Sequence, residues 1–423
     1  MNILQINTLV TRGGAARVMS SLHHAFRERG HQSLIAARSV KRQEIDVYSL
    51  ADLTFPANPA ARRVMRAVTW RLDRWLAIAS LHPVPRKLSG TALFQNSDIV
   101  QLHNLHGYYF DYRYLDALTA QKPVVWTLHD MWAFTGHCAY AYDCLRWKEG
   151  CGSCPLLHGE GRRWVEPRPP AIDRTRQVWT SKRKVYARSR MQIVTPSRWL
   201  QHLAQESIIG QGREIHHIPN GIDTNVFKPT DRNKARTHFE IPPGKKVLLF
   251  SAEKTGNPRK GFSYLKTAIG KLPASEFVLL IMGYFEKTDF PDFHVIATGY
   301  LEDPRTQALA YSAADLLIFP SLADNQPLGV LESLACGTPV VAFETGGLPE
   351  VIRHMETGYL ARYKDTSDLH HGVEALLRNS QRLRNMRSHC RTVAVNEYSL
   401  DLQASRYLAL YAQLLERRMN ESI

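Results

Sequence analysis

The sequence predicts an α/β protein built from two doubly wound domains, each a parallel sheet with helices on both faces. Its 423 residues exceed what a single hydrophobic core usually organises. Both halves open with an apolar strand, a glycine-containing turn and a helix, near residues 2–29 and 246–262, which is the start of an alternating strand–helix fold. Closely spaced proline, asparagine and glycine residues at 219–229 indicate a connection between the halves.

We therefore predict an N-terminal domain at residues 1–219, a C-terminal domain at 220–398 and a final helical segment at 399–423. Apolar residues make up 44% of the chain and charged residues 22%, as in ordinary globular proteins. No apolar run approaches the roughly 18 residues that span a bilayer. The first ten residues resemble a strand rather than a signal peptide, so we expect a cytoplasmic protein.

The net charge of +15 is concentrated in the first half of the chain. Residues 1–219 contain 30 Lys and Arg against 16 Asp and Glu, whereas residues 220–423 contain 24 against 23. This asymmetry favours an anionic partner for the N-terminal domain, such as an anionic membrane, a pyrophosphate-linked compound or a nucleic acid. A generic basic surface is an equal alternative.

A glycine pair follows the first predicted strand. The strand at residues 2–10 leads through Gly13 and Gly14 into a helix at residues 17–29. Paired glycines let the backbone approach a ligand at the N-terminus of a helix. A glycine pair is also a common turn, so this loop is a candidate ligand contact only together with other motifs.

Residues 61–79 predict an amphipathic helix with a basic second face. A basic amphipathic helix with tryptophans can lie in a membrane interface, and the alternative is an ordinary helix packed on its domain. The apolar side contains Val64, Val68, Leu72, Trp75, Leu76 and Ala79, and the arginines lying mostly off it are Arg62, Arg63, Arg66, Arg71 and Arg74.

Histidines follow two further predicted strands of the first half. His103 ends the strand at residues 97–103 and His106 lies in the next turn, while His129 and Asp130 follow the strand at residues 124–128. Ligands of open α/β sheets bind at the carboxyl ends of strands. A single histidine is usually structural, but several at successive strand ends favour a functional site.

Four of the six cysteines fall within 17 residues, in the pattern C-x5-C-x6-C-x2-C. They lie in an aromatic- and glycine-rich insertion at residues 132–155. In a cytosolic protein this density favours a structural zinc site with Cys138, Cys144, Cys151 and Cys154 as ligands. Disulfides and unmodified buried thiols are the alternatives.

The second half combines a carboxylate on a short helix with a basic turn. Glu332 lies about one turn into a helix at residues 328–336, where it could hold a pair of ligand hydroxyls near a positive helix end. The alternative is a glutamate on a solvated face. The turn after the strand at residues 246–251 contains Lys254, Arg259 and Lys260, and such cations beside backbone N–H groups suit a pyrophosphate.

Together these motifs resemble the retaining GT-B glycosyltransferases of family four, whose signature is Glu-x7-Glu followed by A-x-G-x-P-V-V. Glu332 matches the second glutamate, and residues 335–341 match the remainder. Asp324 stands where the first glutamate is expected, which keeps the charge but shortens the side chain by one methylene. The sequence ADNQPL at residues 323–328 resembles exopolysaccharide enzymes of the colanic-acid type.

The resemblance implies a GT-B fold, in which two Rossmann-like domains face each other across a cleft and the final helix crosses back to the first domain. The C-terminal domain would bind a nucleotide-sugar donor, with Glu332 on the ribose and Lys260, helped by Lys254 or Arg259, on the diphosphate. Asn325 and Leu328 would belong to the same donor site.

The acceptor would bind on the basic N-terminal domain, near His129 and Asp130. With Asp324, which would approach the sugar, these two are the candidate catalytic residues. Gly13 and Gly14 would line the cleft and touch the donor phosphates. The resemblance further implies transfer with retention, in which negative charge grows on the leaving diphosphate and is stabilised by cations and helix N-termini.

No Asp-x-Asp motif is present, so we expect no catalytic metal. The expected acceptor is a growing polyprenyl-diphosphate-linked oligosaccharide, which would make the protein peripheral on the inner face of the plasma membrane. One alternative is a soluble small-molecule acceptor. A remote alternative is a basic, zinc-containing nucleic-acid-binding protein, which is disfavoured because no recognition helix, RNA-binding signature or zinc-finger spacing is present.

Overall fold

The structure is a computed structural model that describes residues 1–38, 40, 45–55, 58–76, 84–157, 171–254, 256–285 and 290–421. The chain forms two compact units. The first unit contains residues 1–219 and the residues from 403 onward, and the second contains Asn220–Leu402. Each unit has its own parallel sheet.

The first unit contains a seven-stranded sheet in the order β3-β2-β1-β4-β5-β6-β7, and all neighbouring strands are parallel. Strands β4 and β5 are buried along their whole length, as expected for a sheet covered on both faces. The strands are β1 (Asn2–Asn7), β2 (Gln32–Ala37), β3 (Val47–Ser49), β4 (Ile99–Leu102), β5 (Val124–Thr127), β6 (Met191–Thr195) and β7 (Ile215–His217).

The helices of the first half, together with short 3-10 turns, connect these strands. They are α1 (Gly14–Glu28), α2 (Leu50–Thr54), α3 (Pro59–Leu76), α4 (Val84–Leu88), α5 (Ala92–Gln95), α6 (Leu115–Gln121), α7 (Arg146–Glu149), α8 (Thr175–Tyr186) and α9 (Arg198–Gln205).

The second unit contains a six-stranded parallel sheet in the order β10-β9-β8-β11-β12-β13. Its strands are β8 (Lys246–Lys254), β9 (Phe277–Tyr284), β10 (His294–Gly299), β11 (Leu316–Phe319), β12 (Val340–Phe343) and β13 (Gly358–Ala361). Its helices are α10 (Arg232–His238), α11 (Phe262–Ile269), α12 (Pro304–Ala313), α13 (Leu328–Ala335), α14 (Leu348–Val351), α15 (Thr366–Leu377) and α16 (Ser380–Tyr398), and the chain ends with α17 (Leu400–Glu421).

Both sheets reverse their strand order once. The first strand of the first sheet, β1, lies between β2 and β4, and the first strand of the second sheet, β8, lies between β9 and β11. These are the topological switch points of doubly wound sheets, and ligands bind beyond the carboxyl ends of the strands that flank them. The predicted α/β fold class is confirmed, and it directs attention to the loops after β1, β4, β8 and β11.

Helix α17 begins with the last residues of the second unit, and from Gln403 onward it belongs to the first unit. The hydroxyl of Tyr407 lies 2.9 Å from Oγ1 of Thr127 at the end of β5. The ring of Tyr411 makes an edge contact with Phe26 of α1, with centroids 5.9 Å apart. Both tyrosines are fully buried, so this helix completes the core of the first unit.

In the described part of the chain, no helix is long and apolar enough to cross a membrane.

Candidate active site

The loops after β8 and β11 meet at the switch point of the second unit. The first forms a 3-10 turn, Pro258–Lys260, whose start is capped by Asn257, because Oδ1 of Asn257 accepts a hydrogen bond from the backbone N–H of Arg259 at 3.0 Å. The backbone carbonyl of Arg259 in turn accepts a hydrogen bond from the N–H of Leu322 at 2.8 Å. The two loops therefore form one connected structure.

Asp324 lies at the centre of this structure and binds both predicted diphosphate-binding cations. Its Oδ2 atom is 2.9 Å from Nζ of Lys260 and 3.1 Å from a guanidinium nitrogen of Arg259. The hydroxyl of Ser321 donates a third hydrogen bond to the same oxygen at 2.6 Å. Burial opposes ionisation of Asp324, but Lys260, Arg259 and Ser321 outweigh it and lower its pKa below the usual value.

Two glycines permit this close approach of backbones. Gly261 has φ 69°, and a Cβ there would lie 1.8 Å from the carbonyl oxygen of Pro320. Gly346, in the loop after β12, has φ 58°, and a Cβ would lie 1.9 Å from the carbonyl oxygen of Asp324. No side chain fits at either position, so glycine is required to bring Arg259, Lys260 and Asp324 together.

Glu332 is buried within α13, with an exposed fraction of 1%. Its Oε2 atom accepts a hydrogen bond from the hydroxyl of Tyr311 on α12 at 3.0 Å. The alternative of a solvated glutamate is therefore wrong. Leu328 is the first residue of the same helix, and Asn325 is buried in the loop before it.

The side chain of Lys254 lies outside the described residues, although its backbone ends β8. Gly13 and Gly14 lie at the start of α1, where Gly13 adopts φ 88° as the N-cap. A Cβ on either glycine would meet no described atom within 4 Å. In the described residues, the space beside this loop is therefore open, in contrast to the filled space at Gly261.

In the first unit, the loops after β1 and β4 are joined by Thr8, whose hydroxyl bonds the backbone carbonyls of Asn104 and His106 at 3.0 and 2.9 Å. His106 Nε2 lies 3.1 Å from a carboxylate oxygen of Asp130, and the other oxygen accepts the backbone N–H of Trp132 at 2.8 Å. Burial opposes ionisation of Asp130, but these groups lower its pKa.

His103 and His129 form a second polar contact at the same strand ends. Nδ1 of His103 lies 2.9 Å from Nε2 of His129, and the rings are stacked with centroids 5.2 Å apart. Burial lowers the pKa of His129 to about 4, against the opposing charge of Asp130. Burial and the neighbouring His129 lower the pKa of His103 well below its usual value. Both rings are therefore neutral at pH 7.

The contact continues as a chain of five side chains through the core of the first unit. Nε2 of His103 lies 3.3 Å from the side-chain oxygen of Gln5. The amide of Gln5 donates to the hydroxyl of Ser33 at 3.1 Å, and that hydroxyl lies 3.1 Å from Nδ1 of His23. Burial lowers the pKa of His23 to about 4, with the neighbouring His24 and Arg27 contributing further. We call His129, His103, Gln5, Ser33 and His23 the buried polar chain.

The directions of the first three hydrogen bonds in this chain, from His129 to Ser33, follow from chemistry. The oxygen of Gln5 can only accept, so Nε2 of His103 carries hydrogen. A neutral His103 then has a bare Nδ1, which accepts from Nε2–H of His129. Gln5 donates to Ser33, whose hydroxyl contacts His23. The three bonds from His129 to Ser33 therefore run in one direction, and the Nδ1 of His129 carries its lone pair.

The sequence pointed to His103 and His129 but missed Gln5, Ser33 and His23. The available signal was weak: Gln5 and Ser33 are polar residues inside otherwise apolar strands. A polar residue in a fully buried parallel strand requires a partner.

The four clustered cysteines are free thiols, of which Cys138 is buried and Cys144, Cys151 and Cys154 are partly buried. Burial raises the pKa of Cys151 to about 11 and raises those of Cys138 and Cys154 as well. Among the described residues, which include all four cysteines, no three His, Cys, Asp or Glu side chains are arranged to hold a metal ion. The zinc site at these four cysteines therefore stays a prediction.

A buried lysine, Lys182, stabilises the insertion that contains these cysteines. Nζ of Lys182 donates to the backbone carbonyls of Trp132 and Thr135 and lies 3.6 Å from the centroid of the Trp132 ring. Burial lowers the pKa of Lys182 to about 7, while Cys151 and Cys138 oppose that shift.

The fold and these residues define a glycosyltransferase, and comparison with known proteins agrees. Residues 12–226 match the model described as glycosyltransferase family 4, and residues 245–379 match the model described as glycosyl transferases group 1. The first match alone covers more than half of the chain, which therefore belongs to glycosyltransferase family 4. Membership makes it a nucleotide-sugar-dependent glycosyltransferase.

The chain is 28% identical over 369 residues to WcaC of Escherichia coli (strain K12), named as a colanic acid biosynthesis glycosyl transferase, and this covers 84% of this chain and 85% of WcaC. It is 31% identical over 188 residues to the D-inositol 3-phosphate glycosyltransferase of Pseudarthrobacter chlorophenolicus, covering 41% of this chain and 45% of that protein.

Two solved structures show the GT-B fold over almost the whole length. Sucrose-phosphate synthase from Thermosynechococcus elongatus has a TM-score of 0.71 at 17% identity, covering 98% of this chain and 99% of that one. Anabaena Alr3699/HepE, solved in complex with UDP and glucose, has a TM-score of 0.64 at 16% identity, covering 97% and 99%. At these sequence identities the similarity shows a shared fold and nothing about substrates.

Proposed function

We propose that this glycosyltransferase transfers a sugar, with retention of its anomeric configuration, to a growing polyprenyl-diphosphate-linked oligosaccharide in the synthesis of a cell-surface polysaccharide. The donor binds to the second unit, with Arg259 and Lys260 on its diphosphate and Glu332 on its ribose. The similarity to WcaC over most of both chains supports an exopolysaccharide substrate.

The observation that carries the donor site is the contact of Asp324 with Arg259 and Lys260 at the switch point of the second sheet. Two cations share one carboxylate, so an additional negative charge is favourable there. Because Asp324 holds both cations in place, they lose little conformational freedom when a diphosphate binds.

The same cations serve the chemical step. As the glycosidic bond to the donor breaks, negative charge grows on the leaving diphosphate and positive charge develops on the sugar. Fixed cations lower the barrier because they stabilise the leaving group more strongly in the transition state than in the ground state. In the first unit, His129 and Asp130 contact the acceptor.

Membrane association is part of this proposal and is supported by α3. Its apolar residues are exposed in the described structure, with exposed fractions of 63% for Val64 and 57% for Trp75. Arginines on the same helix suit an anionic surface. A peripheral position would bring the enzyme to a lipid-linked acceptor.

The donor site is tested by thermal shift against UDP-, GDP- and ADP-sugars. We expect one class to raise the melting temperature of the wild type and to have no effect on Glu332→Ala. Glu356→Ala, which changes an exposed glutamate of the same unit, should respond like the wild type. If Glu332→Ala were stabilised as strongly as the wild type, the proposed donor site would be wrong.

A soluble acceptor is the second candidate, favoured by the partial similarity to D-inositol 3-phosphate glycosyltransferases. Transfer of a radiolabelled sugar to membrane extracts separates the two. Label extracted into butanol supports the lipid-linked acceptor, and label that stays in the aqueous phase supports the soluble one.

A further inference from the structure

The first unit contains a cavity of about 600 Å³ beside α3. Its walls come from α3, from α2 with Phe55, from Arg38 after β2, and from Tyr108 and Tyr109 in the loop after β4. That loop also carries His106, the partner of Asp130. The cavity therefore adjoins the switch point of the first sheet, where we place the acceptor.

Four guanidinium groups line the cavity: Arg38, Arg62, Arg63 and Arg66. Arg62 forms an ion pair with Asp52, and in the described part of the chain it is the one member of the four with a carboxylate partner. The described lining residues include no acidic residue. Among the described residues, three of these positive charges therefore have no carboxylate partner.

The surroundings of Arg38 disfavour its positive charge. It lies half-buried, and one of its guanidinium nitrogens is 3.3 Å from the backbone carbonyl of Gly107. Burial lowers the pKa of Arg38, Tyr109 opposes that shift, and the charge of Arg66 lowers the pKa further. A bound anion would relieve both the desolvation and the repulsion.

The remaining lining is apolar and aromatic, and it includes Phe55, Trp70, Tyr108 and Tyr109. A site for a simple anion requires no such wall. A cavity of this size accommodates a ligand larger than a phosphate ion, and the combination of guanidinium groups with aromatic rings suits a diphosphate attached to a hydrocarbon.

Helix α3 presents two different faces. Its cavity-lining residues, which include Arg62, Arg66 and Trp70, follow a spacing of four residues. The exposed apolar residues Val64 and Val68 are spaced in the same way but are displaced by two positions, which places them on roughly the opposite side of the helix. One face therefore lines the cavity, and the other is free to contact a bilayer.

We propose that this cavity binds the isoprenoid diphosphate of the lipid-linked acceptor, with the diphosphate on Arg38, Arg63 and Arg66 and the first isoprene units against the aromatic wall. This inference rests on the proposed function, because it assigns the lipid part of the same acceptor. Three guanidinium groups without a carboxylate partner in the described part of the chain match the two negative charges of a diphosphate diester better than the single charge of most phospholipid headgroups.

The test is calorimetric titration of the full chain with farnesyl diphosphate, inorganic pyrophosphate and farnesol. We expect farnesyl diphosphate to bind the wild type, and to bind Arg38→Gln/Arg66→Gln at least about tenfold more weakly because charge-assisted hydrogen bonds are lost. Arg63→Gln, at an exposed helical position, should weaken binding without affecting folding. Arg71→Gln, on the same helix but outside the cavity lining, should bind like the wild type.

Four results would overturn the inference. The first is unchanged affinity in both cavity variants, and the second is an equal loss in Arg71→Gln. The third is equal affinity for pyrophosphate and farnesyl diphosphate, which would indicate a site for a soluble anion. The fourth is displacement of farnesyl diphosphate by phosphatidylglycerol vesicles from the wild type but not from Arg71→Gln. This result would assign the binding to a general lipid surface.

The donor-dependent thermal shift separates this inference from the proposed function. If no nucleotide sugar stabilises the wild type, the proposed function fails, whereas farnesyl diphosphate binding still reports on the cavity. If Arg38→Gln/Arg66→Gln transfers sugar to the lipid-linked acceptor with the kcat/KM of the wild type, the inference fails and the proposed function stands. The inference is supported if Arg38→Gln/Arg66→Gln loses farnesyl diphosphate binding but keeps the thermal shift caused by the nucleotide sugar.

Discussion

Nε2 of His129 and Nδ1 of His103 lie 2.9 Å apart at the carboxyl ends of neighbouring strands. Both rings are neutral, because burial lowers their pKa values. Two neutral imidazoles can share only one hydrogen at this contact, so the tautomer of one ring fixes the tautomer of the other. Gln5, at the other side of His103, decides which tautomer that is.

The first prediction concerns Gln5→Leu. This change removes the acceptor of His103, so His103 no longer has a fixed tautomer and the preference of His129 for Nε2–H weakens. Side-chain ¹⁵N chemical shifts of histidine-labelled protein measure this directly. We also expect a loss of about 1–3 kcal/mol in stability, because the partners of Gln5 remain buried.

The neighbouring strand supplies a matched control for Gln5→Leu. Gln101 lies beside Gln5 in register and is equally buried, but its amide bonds Thr127 instead of a histidine. Gln101→Leu should cost similar stability and leave the ¹⁵N shifts of His129 unchanged. Equal effects of the two variants would show that Gln5 has only a structural role.

The second prediction concerns pH. His23 and His129 titrate at about 4 in the folded chain and His103 lies well below its usual pKa of 6.5. Between pH 4 and 6.5 the unfolded chain binds more protons at these sites. Their contribution to stability is therefore complete above pH 6.5 and is lost as the pH falls, at up to about 1.4 kcal/mol per pH unit for each histidine.

Melting temperatures between pH 4.5 and 7.5 check this dependence. Replacing His23 by Gln should flatten the curve of melting temperature against pH in this range, because one histidine with a lowered pKa is removed. Replacing His202, whose side chain is 70% exposed, by Gln should leave the curve nearly unchanged. A curve for His23→Gln as steep as that of the wild type would contradict the prediction.

The third prediction concerns Asp324→Asn. The variant keeps a hydrogen-bond acceptor for Ser321 but leaves Arg259 and Lys260 without their shared carboxylate, so it should be less stable by up to about 3–5 kcal/mol. A bound diphosphate would restore the missing negative charge. We therefore expect the nucleotide-induced thermal shift to be larger in Asp324→Asn than in the wild type.

Asp365→Asn provides the comparison, because Asp365 caps α15 through backbone N–H groups and pairs with the exposed Arg362 rather than with Arg259 or Lys260. Its nucleotide-induced shift should equal that of the wild type. An Asp324→Asn shift equal to or smaller than that of the wild type would show that the two cations do not bind the diphosphate.

The fourth prediction uses two glycines with similar backbone angles. Gly261 and Gly244 have φ 69° and 79°, but a Cβ would collide with Pro320 only at Gly261 and meet no described atom at Gly244. Gly244→Ala should cost roughly 1 kcal/mol for the backbone conformation. Gly261→Ala should cost several times more and abolish donor binding, as measured by chemical denaturation and thermal shift; similar costs for both would contradict the described loop packing.

The fifth prediction concerns the exposed face of α3. Val68→Asp/Trp75→Ser should reduce flotation with anionic liposomes several-fold, because it removes apolar area and adds negative charge. Met419→Ser changes an exposed apolar residue on α17 and should float like the wild type. Equal flotation of all three proteins would exclude α3 as the membrane contact.

The fold could be predicted from the sequence because its signals are local. Apolar strands, glycine turns and the spacing of helices define both sheets, and the parallel order follows from alternation. The predicted first helix nevertheless starts three residues late, because Gly13 takes a positive φ of 88° that ends the loop early. Such a boundary depends on a single backbone angle, which the pattern does not reveal.

The site could be predicted only as a set of separate residues. Arg259 and Lys260 were assigned to a diphosphate and Asp324 to a sugar, whereas the structure joins all three through contacts 64 or 65 residues apart in the chain. Their relation depends on two loops that meet only after the sheet has formed. The zinc site at the cysteine cluster stays a prediction, because in the described residues no group of side chains is arranged to hold a metal ion.

The route of the chain through its two units bears on the order of folding during synthesis. The second unit is a continuous stretch, Asn220–Leu402, inserted into the first. Tyr407 and Tyr411, which complete the first core, leave the ribosome after the entire second unit. The unit that starts first in the sequence therefore finishes last, and its core is exposed to aggregation and chaperones for longer than that of the second unit.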